Sequence, residues 1–490
     1  MWRLALVGLS VGAAPLGASE LGRADVLSWA GGQFHLGGEP LVEISFNKFD
    51  LFWAVRDARA AAAREGKPEL AERALAAQDK ALGEIREIGC RTIRIFGSPW
   101  GTFSEAYDDP GRRAEMFSAM DSVLGLCERH GIGVIYSLGA AGLHDPAPRG
   151  QGRAGPKPAG GTRAEGLYEL ISDPGSRGRA RLNSYLDEVV SRYRGRKAIA
   201  MWEITNELTN QADIGEREWG ASPTLAQVAA FFDEVARRIK AKDPLRLVSN
   251  GGSHLRECAW NLYQRKGWRK DTLEEQGRAF DLLFGRSGVD VVDIHYYAVK
   301  TGGYEIAGSG GVPMLVDPVR YMELARGVGK PLIFGEFAAL PSGFDGGSRP
   351  EPGWFAGYDD PGAKAWVQKA VDAIVEAGVP LSYYWPYGSD RPMDQKANPV
   401  YLDKTRTPAL IAIIADGNRR LKAKLKTDGG GGVSGSRENR HAAGLGICRT
   451  LSDRFLWQNR LLFNSKELTD EHPGARHWLK SGSTPTISPL

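Results

Sequence analysis

The sequence predicts an α/β fold, a (β/α)8 TIM barrel, and three observations carry that prediction. Short β-rich runs alternate with amphipathic helical stretches from about Phe34 to Leu425. The runs are almost continuously apolar rather than alternating, as parallel strands buried on both faces require. There are eight of them, the number that closes into a barrel. A doubly wound open sheet fits less well, because no glycine-rich phosphate loop follows the first run.

The elements follow in order. The first strand is "LVEISFN" (41–47), and a helix over 68–89 follows it, with Ala, Leu and Ile at helical spacing between Pro68 and Gly89. "RTIRIFG" (91–97) is the second strand and precedes a helix over 112–130. "GVIYSLG" (133–139) is the third. A Gly/Pro-rich loop then occupies about 140–177, and loops of such length in compact domains are usually functional. A helix over 178–194 leads to the fourth strand, "AIAMWEI" (198–204). Helices over 224–242 and 271–284 precede "LRLVSN" (245–250) and "VDVVDIHYY" (289–297). Helices over 315–328 and 361–377 precede "PLIFGEF" (331–337) and "PLSYYWPY" (380–387), and a last helix covers 405–425.

Both ends of the chain lie outside this pattern. Residues 1–19 place one basic residue and an apolar stretch before small residues, which predicts a secretory signal peptide cut near Gly17–Ser19. A buried first segment or a retained anchor is the alternative. No later stretch reaches the roughly 20 apolar residues of a membrane span. The expected location is therefore secreted, periplasmic or cell-surface, with no stable membrane insertion after cleavage. Residues 427–490 read as a Gly-rich linker, "TDGGGGVSGS", and a disordered tail.

Composition narrows the function. The 490 residues are 42% hydrophobic, and 63 basic against 59 acidic residues leave a net charge of +4. That balance, without a basic stripe, argues against nucleic acid as a partner. The four cysteines, Cys90, Cys127, Cys258 and Cys448, form neither a metal spacing nor a disulfide framework, although one bridge is open.

In an eight-fold barrel the functional groups sit at the C-terminal ends of the strands. Those ends carry Asn47, Arg94 within the second strand, Asn206 and Glu207, His295 and Tyr297, Glu336, and Trp385. Each has a plain structural reading: a loop salt bridge, a buried histidine, a packing tryptophan. Their gathering on one rim is what points to chemistry. Two carboxyl groups across a cleft are the usual requirement for cleaving a glycosidic bond, one as acid and one as anion. Their pKa values must be pushed apart. An Arg beside Glu336 would keep it ionised, while Glu207, against Trp202 and Asn206, would hold its proton. No cofactor is called for, and no HExxH zinc motif is present.

"WEITNE" (202–207) with "IFGEF" (333–337) resembles the signature pair of clan A glycoside hydrolases, and glycoside hydrolase family 5 in particular. "RIFG" (94–97), "HYY" (295–297) and "YYW" (383–385) match that family's supporting motifs. The resemblance implies retaining cleavage of a β-linked glycan, β-mannan or β-glucan, without a metal. It implies Glu207 as acid/base, Glu336 as nucleophile and Asn206 as the contact to the sugar 2-hydroxyl. Arg94 and Tyr297 would hydrogen-bond the nucleophile, His295 would line the sugar site and Trp385 would stack on the ring. Asn47 joins this substrate-binding set. The chain departs from family cellulases where they carry a His after the third strand: "YSLGAAG" (136–142) has none, and His144 follows in the loop. Trp53, Trp100, Trp219, Trp260, Trp268 and Trp354 are candidates for sugar-stacking subsites or for packing under loops. A non-catalytic carbohydrate-binding protein on a hydrolase-derived barrel is the alternative function, and a metal-dependent hydrolase or a lyase is a second rival.

Overall fold

All eight apolar runs form strands. The computed structural model describes residues 21–98, 103–143, 163–213, 222–297, 315–338, 361–388 and 402–430. A three-stranded antiparallel sheet comes first: β1 (Ser28–Ala30), β2 (Gln33–Leu36) and β3 (Glu39–Leu41). The barrel strands are β4 (Glu43–Asn47), β5 (Thr92–Phe96), β6 (Gly133–Ser137), β7 (Ile199–Glu203), β8 (Val248–Ser249), β9 (Val292–Tyr297), β10 (Leu332–Ala338) and β11 (Leu381–Tyr384). Their order is β8-β7-β6-β5-β4-β11-β10-β9, with every pair parallel. A parallel bridge from Ser249 to Val291 joins β8 to the start of β9 and closes the barrel.

Helices cover the outside, as parallel strands buried on both faces demand. Two of them, α1 (Asp50–Glu65) and α2 (Glu69–Glu87), connect β4 to β5, where the sequence pattern had predicted one. Three residues part them, and Gly66, at φ +68°, ends α1 by returning its N–H to the Ala62 carbonyl. The left-handed conformation there suits glycine. The segment predicted as a helix over 271–284 is a helix over Leu273–Phe280 that ends in a π-helical turn, Asp281–Gly285.

Two apolar layers hold the barrel together. The larger lies between strands and helices. Trp202 belongs to it, fully buried, donating its indole N–H to Asp243 Oδ2 at 2.9 Å and meeting the Tyr136 ring edge-on. The expected contact of Trp202 with Glu207 is therefore corrected: this ring faces the helices. The smaller layer fills the inside of the barrel. Ile135, Ala200, Met201, Val291, Ile333, Leu381 and Tyr383 meet there with Leu27, just before the first sheet, and with Phe34 and Leu41 within it, so this segment stoppers the base. Beyond this plug the barrel interior turns polar, with Glu203, Arg94, Asn47 and Asp293 all fully buried.

Cys90, Cys127 and Cys258 are free and buried, and burial raises all three thiol pKa values. No helix among the described residues is long and apolar enough to cross a membrane. The chain divides into two units, Met1–Asp428 and Gly429–Leu490, and the fold above is that of the first. Residues 1–19, read above as a signal peptide, lie outside the described residues, as do His144, Trp100, Trp219, Trp354 and the residues beyond 430.

Candidate active site

Arg94 organises the rim. Its guanidinium, fully buried, makes a two-pronged contact with Glu203, Nε to Oε2 and a terminal nitrogen to Oε1, both at 2.7 Å. The same terminal nitrogen reaches Asn206 Oδ1 at 2.7 Å, while the other meets Asn47 Oδ1 at 2.9 Å and Glu336 Oε2 at 3.3 Å. The sequence places Arg94 beside Glu336, with pairing to a structural acid as the alternative; the structure shows both, and the main partner is Glu203. Burial pushes the Glu203 carboxyl up, but the Arg94 charge and hydrogen bonds outweigh it and hold Glu203 below the ordinary range. A planar fork is the side chain that can serve five acceptor atoms on four side chains at once. With Oδ1 committed to Arg94, Asn206 Nδ2 has no partner among the described residues.

Glu207 stands where β7 has ended. It adopts a left-handed backbone, φ +54°, a conformation costly for a non-glycine residue and concentrated at functional sites. Its N–H donates to the Gly251 carbonyl at 2.8 Å. Gly251 has no room for a side chain: at φ +64° an added Cβ would lie 1.7 Å from the Thr205 carbonyl oxygen. The Glu207 side chain remains 30% exposed, and Oε1 lies 3.0 Å from His295 Nδ1. Burial pushes its pKa up to about 7, with the Arg94 charge pulling weakly the other way. A carboxyl with that pKa carries its proton into the neutral range and can both give and take it.

Glu336 faces it from β10. Its Oε1 accepts from the Tyr297 hydroxyl and its Oε2 from Arg94. His295 Nδ1 is 3.7 Å from Oε2. Burial raises the Glu336 carboxyl, and the nearby Glu207 adds to the rise, while His295, Arg94 and the Tyr297 hydrogen bond oppose it. The expectation that a neighbouring Arg keeps Glu336 ionised is thus refined: Arg94 does lower the carboxyl, but net the group is raised. Arg94 and the Tyr297 hydroxyl are the two donors that favour the ionised form of Glu336. His295 is fully buried and its pKa is pushed down to about 4, chiefly by burial, so the ring is neutral near pH 7.

The remaining residues divide. Asn47 is fully enclosed: Nδ2 donates to the Gly335 and Tyr383 carbonyls at 2.9 and 3.0 Å, and Oδ1 is held by Arg94. With every polar atom committed to protein, Asn47 positions its neighbours and has nothing left for a sugar. Trp385 is half-buried, with Phe49 at 4.6 Å and Phe96 at 5.8 Å between ring centroids. Trp53 stacks on Phe96 at 5.9 Å and donates to the Ser98 carbonyl, so these four rings form one aromatic wall beside Arg94. Trp260 packs instead on Tyr263 and under Arg278.

Glu207, His295 and Glu336 each offer a ligand atom within 4.8 Å of the others, the spacing a metal ion could span. Both Glu336 oxygens already accept from cationic or hydroxyl donors. An ion there would have to displace Tyr297 or sit against the Arg94 charge, so the donor set suits proton traffic better than metal ligation.

Four functional side chains escaped the sequence reading. Glu203 is the Arg94 partner. Asp293 and Asn250 lie inside the barrel: Asn250 grips both backbone groups of Asp293, accepting its N–H at 2.8 Å and donating to its carbonyl at 3.0 Å. His254, neutral because burial lowers its pKa to about 4, donates Nδ1–H to the Leu315 carbonyl and accepts the Tyr297 N–H at 3.0 Å. Acids inside an apolar strand, such as Glu203 and Asp293, are the signal that was available.

The sequence matches no family model and no curated protein. Solved structures do match in fold. A glycoside hydrolase family 5 mannosidase from Rhizomucor miehei superposes with a TM-score of 0.54 at 18% identity, covering 83% of this chain and 100% of that one. A mutant of that mannosidase in complex with mannosyl-fructose gives 0.53 at 16% identity, covering 83% and 99%. An endo-1,4-β-mannanase from the same organism gives 0.53 at 15% identity, covering 81% and 99%. The chain is similar to these proteins in fold, along nearly their whole length.

Proposed function

We propose that the protein is a retaining glycoside hydrolase that cleaves β-linked glycans by double displacement. The observation that carries this reading is the pair Glu207 and Glu336, with a carboxylate oxygen from each and His295 Nδ1 all within 4.8 Å of one another. Retaining enzymes hold their carboxyl groups about 5–5.5 Å apart, whereas inverting enzymes leave roughly 6.5–9.5 Å for a water.

In the first step Glu336, ionised and steadied by Arg94 and Tyr297, attacks the anomeric carbon. Glu207 gives its proton to the leaving oxygen as the glycosidic bond breaks. In the second step Glu207, now a carboxylate, takes a proton from water, whose oxygen displaces Glu336 from the sugar. The Glu207 pKa of about 7 serves both directions. Asn206 Nδ2 would meet the sugar 2-hydroxyl, and Trp385 with its aromatic neighbours would carry the ring face. β-Mannan stands first among substrates because the solved structures alike in fold act on mannosides, with β-glucan next. The catalytic domain is placed at 34–425. Export is supported by the leader-like first 19 residues, with the 427–490 segment as an appended linker and tail.

The test is a panel of β-mannan, glucomannan and β-glucan with product sizing and NMR of the newly released anomer. Retained configuration is expected, and Glu336→Ala should lower kcat by about 10³ or more. Binding without turnover by the wild type, or full activity in both Glu336→Ala and Glu207→Ala, would falsify the assignment.

A further inference from the structure

Glu336 does not reach the cleft on a regular strand. Along β10, Phe334 pairs with Ile294 of β9, but the next β9 residue, His295, pairs with Glu336, so Gly335 is an extra residue. The same insertion shows on the other side, where Phe334 and Phe337 pair with Ser382 and Tyr384 of β11. A bulge of this kind bends a strand and re-aims the side chain beside it. Here that side chain is Glu336.

Both groups of the Gly335 residue are held. Its carbonyl accepts Asn47 Nδ2 at 2.9 Å, and its N–H donates to Asp293 Oδ1 at 2.7 Å. The Asp293 carboxyl fills the place of a side chain: a Cβ on Gly335 would lie 2.3 Å from each of its oxygens. Asn250 in turn fixes the Asp293 backbone from β8's end. Asp293 touches none of the groups that would meet a sugar, and it is fully buried.

We infer that Asp293 is a positioning residue for Glu336: its carboxyl seats the Gly335 N–H, fixes the bulge in β10 and so aims the attacking carboxylate. The inference rests on Glu336 being the nucleophile. Two further observations fit it. The Asp293 carboxyl shares a hydrogen bond with that of Glu203, and burial together with the Glu203 charge pushes it well above the ordinary range. A neutral acid adds no second negative charge beside Glu203 and Glu336, while its Oδ1 still accepts from Gly335. An asparagine has the same shape, keeps an acceptor for that N–H and carries no charge.

The experiment compares the full chain with Asp293→Ala and Asp293→Asn. Asp293→Ala should lower kcat by roughly 10–100-fold while KM stays within about threefold, since displacing a reacting group by about an ångström costs on that order. Amide exchange in the peptide spanning 332–338 should become faster. Asp293→Asn should recover most of the lost kcat and the exchange protection. Should Asp293→Ala fail to fold, Asp293→Ser, whose hydroxyl is too short to reach Gly335, replaces it under the same criteria. An alanine variant with wild-type kcat, an asparagine variant as poor as alanine, or unchanged exchange in 332–338 overturns the inference. If the wild type hydrolyses none of the glycans, the functional reading fails by itself, and the exchange comparison still decides whether Asp293 holds the bulge.

Discussion

Replacing Glu207 by Gln separates stability from activity. The carboxyl is raised from 4.5 to about 7 by burial. The folded state therefore binds this proton more tightly than the unfolded chain. Below pH 4.5 both states are protonated and the group is neutral to stability. From about pH 4.5 to 7 the unfolded chain ionises while the folded protein keeps its proton, so stability falls, and above about 7 it levels off. At about 1.36 kcal/mol per pKa unit the full shift corresponds to about 3 kcal/mol, and the exposed 30% of the side chain reduces that to about 2 kcal/mol. Gln does not titrate. Between pH 4.5 and 8 the variant should therefore gain about 2 kcal/mol on the wild type, measured by urea denaturation at each pH. Over the same change kcat should drop by about 10²–10⁴, and the wild-type kcat/KM profile should turn down near pH 7 on its alkaline side. Parallel stability curves for the two proteins from pH 4.5 to 8 would refute the reasoning.

Arg94→Lys replaces a fork that serves Glu203, Asn206, Asn47 and Glu336 with a point charge. It should cost about 3 kcal/mol in chemical denaturation and lower kcat by about 100-fold, because Glu203 is left poorly paired in the interior. Tyr297→Phe removes a hydrogen bond that lowers the Glu336 pKa. The acid-side limb of kcat/KM should move to higher pH, because the carboxylate loses a donor that favours its ionised form. Gly251→Ala forces a methyl onto the Thr205 carbonyl at positive φ. It should destabilise the fold by about 2 kcal/mol or more and depress kcat, read by denaturation and initial rates together, since the Glu207 backbone rests on Gly251.

The eight strands were legible because each is apolar over its length, and their C-terminal residues followed from the barrel's polarity. Asn206, Glu207, His295, Tyr297, Glu336 and Arg94 come together for that reason. Asn47 was legible as a strand-end residue, but not as one whose amide is wholly consumed inside the barrel. Glu203 and Asp293 are visible as acids inside apolar runs, but which partners they meet is not, since only three-dimensional closure brings Arg94 to Glu203. The bulge at Gly335 is invisible for a similar cause: "IFGEF" reads as a regular strand until its neighbours' registers are known. Helix α1 was missed because its alanine-rich sequence is followed within three residues by a stronger helix start at Pro68.

The stopper at the barrel base has a consequence for synthesis. Leu27 and Phe34 are made among the first residues of the barrel unit, yet they pack against Ile333, Leu381 and Tyr383. At about 5–20 residues per second, a nascent chain would hold those two side chains without their final partners for roughly 15–70 seconds. During that interval the N-terminal hairpin is an apolar surface awaiting its lining, within reach of chaperones. The plug is complete only once β10 and β11 supply Ile333, Leu381 and Tyr383.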